Sequence, residues 1–158
     1  QAVFSPLQPA SLQVLLSAFA LPTTPPSQLR PIQMLPHIDA CTSNQLAMVH
    51  YLAGAELGGT SFYRHKQTGY ERITAERLPA YSTQLKAQAQ AAQLHQHPAY
   101  VSGDNAMFSR IYQVAAKANR AIIYPGNVLH SGDICAATGL SADPRLGRLT
   151  ISSFFQLS

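Results

Sequence analysis

The stretch PHIDACTSNQLAMVHYL, residues 36–52, carries a histidine and an aspartate two positions apart, just before an apolar run. Side chains at positions i and i+2 of a strand lie on the same face, so His37 and Asp39 would bring an imidazole and a carboxylate to one point. Taken alone, His37 is more typical of a surface or capping histidine than of a metal ligand. A third ligand elsewhere in the chain would favour a metal site.

His130 has the context that a third ligand needs. It follows an apolar strand and a tight turn in IIYPGNVLHSGDI, residues 122–134. Two histidines and one carboxylate occupy one face of an octahedron and leave the other open, an arrangement typical of non-haem iron(II) oxygenases. The other histidines are predicted to be structural or exposed: His50 in the core, His65 beside a turn, and His95 and His97 at a helix end.

A carboxylate clamp is predicted near the end of the chain. In GRLTISSFF, residues 147–155, Arg148 opens an apolar strand and Thr150 lies two positions on, on the same face. A guanidinium beside a hydroxyl binds a carboxylate well in a partly buried pocket. Arg145, in the preceding loop, is the alternative anchor.

The order His37-x-Asp39, His130, Arg148-x-Thr150 resembles the iron(II)- and 2-oxoglutarate-dependent oxygenases, in particular their prolyl-hydroxylase-like branch. The segments VHYLAG, LGGTSFYRH and NRAIIYPGNVLHSG are similar to strands around the metal in that family. The resemblance covers about residues 36–157. It implies a mainly β fold, the double-stranded β-helix or jelly-roll, with Fe(II) held by His37, Asp39 and His130.

The resemblance also implies the reaction. O₂ and 2-oxoglutarate would be cosubstrates, and succinate and CO₂ would be released as a small molecule or an amino-acid or peptidyl side chain is hydroxylated. Arg148 and Thr150 would hold 2-oxoglutarate, and Tyr51 is either a hydrogen-bond donor to it or a core aromatic. Tyr124 is predicted to be a packing residue. Because halogenating relatives lack the carboxylate ligand, Asp39 favours hydroxylation.

Two alternatives stay open. One is a non-catalytic jelly-roll that serves as a binding or scaffold module. The other is a cupin-like metalloenzyme that uses the same three ligands without 2-oxoglutarate. No motif identifies the substrate, and no catalytic residue is expected beyond the metal ligands.

Composition predicts one compact, weakly basic domain. A length of 158 residues is typical of a single domain, and 46% hydrophobic against 11% charged residues argues against disorder. The net charge of +4 comes from scattered basic residues, which favours anionic small molecules over nucleic acid. No apolar window reaches the length of a membrane span.

The two cysteines and the first residue of the chain indicate its compartment and its extent. Cys41 and Cys135 are far apart and are the two cysteines of the sequence, which favours a reducing compartment and hence the cytoplasm. The chain begins with Gln1 and not with methionine, so we expect a further piece to precede it in the full protein. The oligomeric state stays open, with a homodimer as one option.

The elements predicted to position these residues are mostly strands. The resemblance implies that residues 1–158 form a single oxygenase-like domain, in which a jelly-roll core, 36–158, follows a proline-rich segment, 1–35. In that segment the spacing of Leu12, Leu15, Leu16 and Phe19 predicts a short helix over 10–20. The Ala- and Gln-rich stretch 79–97 predicts a second helix, either a cover over one sheet or a lid. Strands at 60–65 and 70–74 are predicted to form a hairpin. Further strands are predicted at 46–54, 107–115, 120–134 and 147–157.

Overall fold

The computed structural model describes residues 11–158 of the chain. Within them, seven strands form two antiparallel sheets, one with the order β1-β7-β2-β5 and one with the order β4-β3-β6. One α-helix, α1, spans Leu78–Ala91. The prediction of a mainly β chain with a flanking helix is therefore confirmed. The strands are β1 Leu12–Ala20, β2 Gln45–Tyr51, β3 Thr60–His65, β4 Phe108–Val114, β5 Arg120–Pro125, β6 His130–Gly132 and β7 Thr150–Leu157.

The helix predicted over 10–20 is wrong, because this segment forms β1. It pairs antiparallel with β7 along its whole length, from Leu12 opposite Leu157 to Ala20 opposite Thr150. Apolar residues with this spacing fit a helix face and also a strand that is apolar on both faces, so a distant partner decides between the two. Ala10, where the predicted helix begins, lies outside the described residues.

The predicted hairpin is half right. Its first strand is β3, but the return strand at 70–74 does not form, and Arg72 makes a single isolated bridge to Val128. The reason is that β3 is the central strand of its sheet, with β4 along one edge and β6 along the other. β4 takes one edge along its full length, and β6 with Leu129 takes the other as far as Tyr63, so only the end of β3 is left, where the His65 N–H donates to the Tyr70 carbonyl at 2.8 Å.

The other predicted strands are confirmed with ends moved by a few residues. The segment 120–134 divides into β5 and β6 at a tight turn, which the Val128 N–H closes by donating to the Pro125 carbonyl at 3.1 Å. The second predicted helix ends early at Ala91, since Gln93 adopts a left-handed φ of 48°. Neither α1 nor any shorter helix in residues 11–158 has the length and apolarity to cross a bilayer.

The apolar core lies between the three-stranded sheet and α1. Tyr81 of α1 packs in one cluster with Tyr63 of β3, Phe108 of β4 and Leu129, all buried. Side chains alternate across a strand, so the opposite face of β3, which carries Thr60 and Phe62, is turned away from this core. The helix therefore covers the back of the sheet, which favours its interpretation as a cover and not as a lid.

Candidate metal centre

One backbone bridge joins the two histidines that the sequence analysis paired. The His37 N–H donates to the His130 carbonyl at 2.9 Å, and the His130 N–H returns a bond of 2.9 Å to the His37 carbonyl. His37 thus lies in an isolated bridge, whereas the sequence had predicted a strand there. The pairing brings the two imidazole centroids to 4.4 Å from each other.

Asp39 is held by the turn that precedes His130. The Asp39 and Ala40 N–H groups both donate to the Gly126 carbonyl, at 2.8 and 3.1 Å, and the Gly126 N–H donates to the Gln45 carbonyl at 2.8 Å. A Cβ on Gly126 would lie only 3.3 Å from that carbonyl oxygen, so glycine allows the close approach. The turn therefore fixes Asp39 beside His130 through main-chain contacts.

The three side chains converge on one point. Asp39 Oδ2 lies 3.4 Å from His130 Nε2, and Asp39 Oδ1 lies 3.9 Å from His37 Nε2. One ligand atom from each residue falls within 4.8 Å of the other two. Asp39 Oδ2 is buried and has no hydrogen-bond partner among residues 11–158. An unpaired buried carboxylate oxygen is costly, and a bound cation would satisfy it.

His130 has the tautomer that a metal ligand requires. Its Nδ1 lies 2.9 Å from the Val128 carbonyl, to which it donates, so the lone pair of a neutral ring is on Nε2, facing Asp39. Burial lowers the pKa of His130, and the bond to Val128 opposes this. Burial, followed by the nearby His130, also lowers the pKa of His37. Both shifts favour the neutral imidazole, which is the form that binds metals.

The pKa of the Asp39 carboxyl group shifts in the opposite direction to those of the two histidines. Burial raises the pKa of Asp39, and the adjacent His37 partly offsets this. The site therefore lacks a strong positive neighbour for its carboxylate among the described residues, since both imidazoles prefer to be neutral. A divalent cation would supply that charge.

The triad lines a cavity of about 360 Å³ between the two sheets. Thr60 and His130 come from the three-stranded sheet, and Tyr124 and Thr150 come from the four-stranded sheet. The volume falls in the range of small-molecule sites. The sheets therefore enclose the triad and leave room beside it for a ligand.

Arg148 lies in the wall of this cavity, and Arg145 does not. Arg148 is buried and donates from Nε to the Gly58 carbonyl at 3.1 Å and from Nη2 to the Gly59 carbonyl at 2.7 Å. Its Nη1 has no hydrogen-bond partner among residues 11–158. Burial lowers the pKa of Arg148, yet a guanidinium stays charged in proteins. Arg145 is exposed and pairs with Asp143 at 2.7 Å.

The two tyrosines occupy different positions relative to the cavity. Tyr51, predicted as either a cosubstrate donor or a core aromatic, is buried outside the cavity wall, and its hydroxyl donates to Thr60 Oγ1 at 2.6 Å. Tyr124, predicted to be a packing residue, is in the wall with its ring 4.7 Å from that of His130. Its hydroxyl has no partner in the described part of the chain. Its position just before the turn that leads to His130 was the available signal.

Two other histidines are hydrogen bonded away from the triad. His65, predicted to be exposed, is fully buried, with Nδ1 2.9 Å from Thr68 Oγ1 and Nε2 2.6 Å from Gln88 Oε1. That prediction is wrong because α1 covers the face of β3 on which His65 lies. His50, predicted for the core, is half-buried and its Nε2 lies 3.0 Å from Asn119 Oδ1.

The fold and the site together define a mainly β protein with a candidate metal centre between two antiparallel sheets. The chain belongs to a family of unknown function (DUF6445), whose model matches residues 1–155. No curated protein and no solved structure matched the chain.

Proposed function

We propose that this protein is an iron(II)- and 2-oxoglutarate-dependent oxygenase that hydroxylates a small molecule or an amino-acid or peptidyl side chain. The observation that supports it best is the convergence of His37, Asp39 and His130 in one cavity with the buried Arg148. We further propose that the two facing antiparallel sheets form a double-stranded β-helix. Closed β folds of this type enclose ligands between their sheets.

The donor set fits iron(II). Two neutral imidazoles and one carboxylate suit a borderline divalent metal, and this combination with open positions is the one used by non-haem iron(II) oxygenases. Asp39 Oδ2 is unpartnered and His130 Nε2 carries a free lone pair, so Asp39 and His130 would hold the ion together with His37. The Val128 carbonyl would hold the His130 ring in its coordinating orientation.

Bound iron(II) would activate O₂ for oxidative decarboxylation of 2-oxoglutarate, with one oxygen atom passing to succinate and the other to a substrate C–H bond. The chain itself supplies charge and orientation. Arg148 offers a fixed guanidinium to the distal carboxylate, and its bonds to Gly58 and Gly59 restrict its rotation. Thr150 and Tyr124 offer hydroxyl groups in the same wall.

A metalloenzyme that does not use 2-oxoglutarate is the second candidate, and one observation favours it. Two of the guanidinium nitrogens of Arg148 already bond to backbone carbonyls, which would suffice for a purely structural role. The free Nη1 and the position of Arg148 in the cavity wall favour the first candidate. An arginine that only cross-links backbone does not need to line a cavity that also holds metal-ligand groups.

The test is anaerobic addition of Fe(II) and 2-oxoglutarate to the metal-free protein. We expect a weak visible absorbance band from the chelate, and succinate release once air is admitted. The variant Arg148→Lys should weaken 2-oxoglutarate binding about tenfold or more, because lysine loses the planar fork. The matched control is Arg145→Lys, which should stay within about twofold because Arg145 is exposed outside the cavity.

The outcomes separate the candidates. If the wild type gives neither band nor succinate, the oxygenase proposal is wrong. Iron(II) binding with no effect of 2-oxoglutarate, and with Arg148→Lys indistinguishable from Arg145→Lys, would support the metalloenzyme without this cosubstrate. A protein that binds neither iron(II) nor 2-oxoglutarate would support a non-catalytic jelly-roll.

A further inference from the structure

A second cavity, of about 540 Å³, adjoins the metal cavity. The two cavities share five lining residues, Leu21, Pro22, His37, Gly132 and Ile134. His37 stands at the junction, and its side chain is 45% exposed, far more than those of Asp39 and His130. A molecule in the second cavity would therefore reach the metal centre past His37.

The outer wall of the second cavity is built by the proline-rich segment, to which the sequence assigned no function. The Tyr100 hydroxyl donates to the Thr24 carbonyl at 2.8 Å and ties this segment to the loop after α1. Gln33 lies in a short 3₁₀ turn, Pro31–Met34, whose start is fixed by a bond of 2.9 Å from the Arg30 N–H to Gln33 Oε1. These bonds hold the wall in place without a ligand.

The lining of this cavity is uncharged. None of the described residues that form its wall is aspartate, glutamate, lysine or arginine. The surface is apolar at Ile32, Ile38 and Ile134, and its polar side chains are all uncharged or titratable without being acidic, namely Thr23, Thr24, Gln33, His37, Tyr100 and Ser131. Burying an ionised group there would leave it without a partner, which is costly. An uncharged molecule with an apolar body matches this wall.

The net positive charge of the chain does not make an anion a better ligand for the second cavity. The net charge of the protein is +4. Near the two cavities, however, the buried positive charge is Arg148, which lines the metal cavity and not the second cavity. An anion would bind at Arg148, in the position proposed for the cosubstrate carboxylate. The metal cavity thus suits an anion beside a metal ion, and the second cavity suits a neutral group.

We propose that the second cavity is the substrate site and that it takes an uncharged molecule with an apolar body, whose reacting carbon reaches the metal centre past His37. The catalytic role rests on the proposed function, but the binding preference does not. The volume lies in the range that buries most of a small-molecule ligand. Gln33 and Ser131 would orient a carbonyl or amide of this molecule, as the few polar groups of such sites do.

The test uses two probes that differ in one charge, N-acetyl-L-norleucinamide and N-acetyl-L-lysinamide, and ligand-observed NMR without iron or 2-oxoglutarate. We expect the neutral probe to bind at least about tenfold more tightly than the cationic one, because the ammonium would lose part of its hydration against a wall that offers it no carboxylate. Omitting metal and cosubstrate separates the outcomes. A failure of the oxygenase proposal appears as a missing absorbance band, and a failure of this one appears as missing probe binding.

Two isoleucine variants locate the binding. Ile32 lines the second cavity and is 62% exposed, whereas Ile123 is in β5, outside both cavity walls, and is 63% exposed. Ile32→Asp should weaken binding of the neutral probe about tenfold or more, and Ile123→Asp should leave it unchanged. Thermal unfolding would check that both variants fold. Absent binding to the wild type, equal affinity for both probes, or equal loss in both variants would overturn the proposal.

Discussion

His65 and His130 lie in neighbouring strands of the same sheet, both are buried, and their surroundings are opposite in kind. Both ring nitrogens of His65 have partners, Thr68 on one side and Gln88 on the other. Among residues 11–158, His130 has a hydrogen-bond partner only at Nδ1, and its Nε2 faces a carboxylate oxygen at 3.4 Å. A neutral imidazole offers one donor and one acceptor, so His65 is satisfied and His130 is not.

The difference teaches that burial alone does not distinguish a structural histidine from a ligand. His65 lies on the face of the sheet that α1 covers, and that helix supplies the missing partner. His130 lies at the cavity, where its Nε2 and Asp39 Oδ2 present two lone pairs to each other. Two acceptors at this distance repel unless a proton or a cation lies between them. The unsatisfied pair is therefore the one that could bind a cation.

The largest expected effect comes from exchanging these two histidines for glutamine one at a time. His130→Gln should weaken Fe(II) binding by more than about 100-fold, since loss of a ligand exceeds the loss of an outer-shell partner. His65→Gln should leave Fe(II) affinity unchanged and lower the free energy of unfolding by about 2 kcal/mol, because it disrupts two buried hydrogen bonds. Anaerobic calorimetric titration with Fe(II) and urea unfolding provide the two measurements.

The Fe(II) affinities of these two variants test whether His65 and His130 differ in the way described. Equal losses of Fe(II) affinity in both would mean that the sheet as a whole, and not the free Nε2, determines metal binding. A His130→Gln variant that binds Fe(II) as the wild type does would remove His130 from the ligand set.

A smaller effect is expected from making His65 resemble His130. Gln88→Ala removes the partner of His65 Nε2 and leaves a buried ring nitrogen unpaired, which should cost about 1–3 kcal/mol in the free energy of unfolding. Fe(II) affinity should not change. Urea unfolding beside Gln90→Ala, an exposed position of the same helix, gives the control. Equal stability of the two variants would contradict a structural role for the His65–Gln88 bond.

The smallest effect is expected for the hydrogen-bonded pair of Tyr51 and Thr60, which lies beside the metal cavity. Tyr51→Phe removes the hydroxyl that bonds to Thr60 and should cost about 1 kcal/mol in the free energy of unfolding, with at most about threefold weaker 2-oxoglutarate binding. Thermal unfolding and titration of the absorbance band measure both quantities. A drop in 2-oxoglutarate affinity as large as that of Arg148→Lys would show instead that Tyr51 contacts the cosubstrate directly.

The sequence predicted the members of the candidate site better than their surroundings. The types and order of His37, Asp39 and His130 were enough to pair them, because few residue types bind metals and their chain order is visible. The cavity wall was harder to predict. The hydroxyl of Tyr51 bonds to Thr60 and that of Tyr124 has no partner, and both facts depend on which face of a strand lies inward.

The errors in the fold have one physical origin, which is a partner far away in the chain. β1 was predicted as a helix because its apolar spacing is ambiguous, and only β7, at the other end of the chain, resolves it. Residues 70–74 were predicted as a strand because they are near β3, yet β4 takes one edge of β3, and β6 with Leu129 takes the other as far as Tyr63. His65 was predicted to be exposed because its burial depends on α1, which comes later in the sequence.

The reciprocal bridge between residues 37 and 130 builds the site from segments that are far apart in the chain. Neither half of the polypeptide contains all three donor groups, and the contact of the Gly126 turn with Asp39 helps to bring them together. An ion held there would link the segment before β2 to the start of β6. Its affinity for the native form over the unfolded one would then be added to the conformational stability of the whole domain.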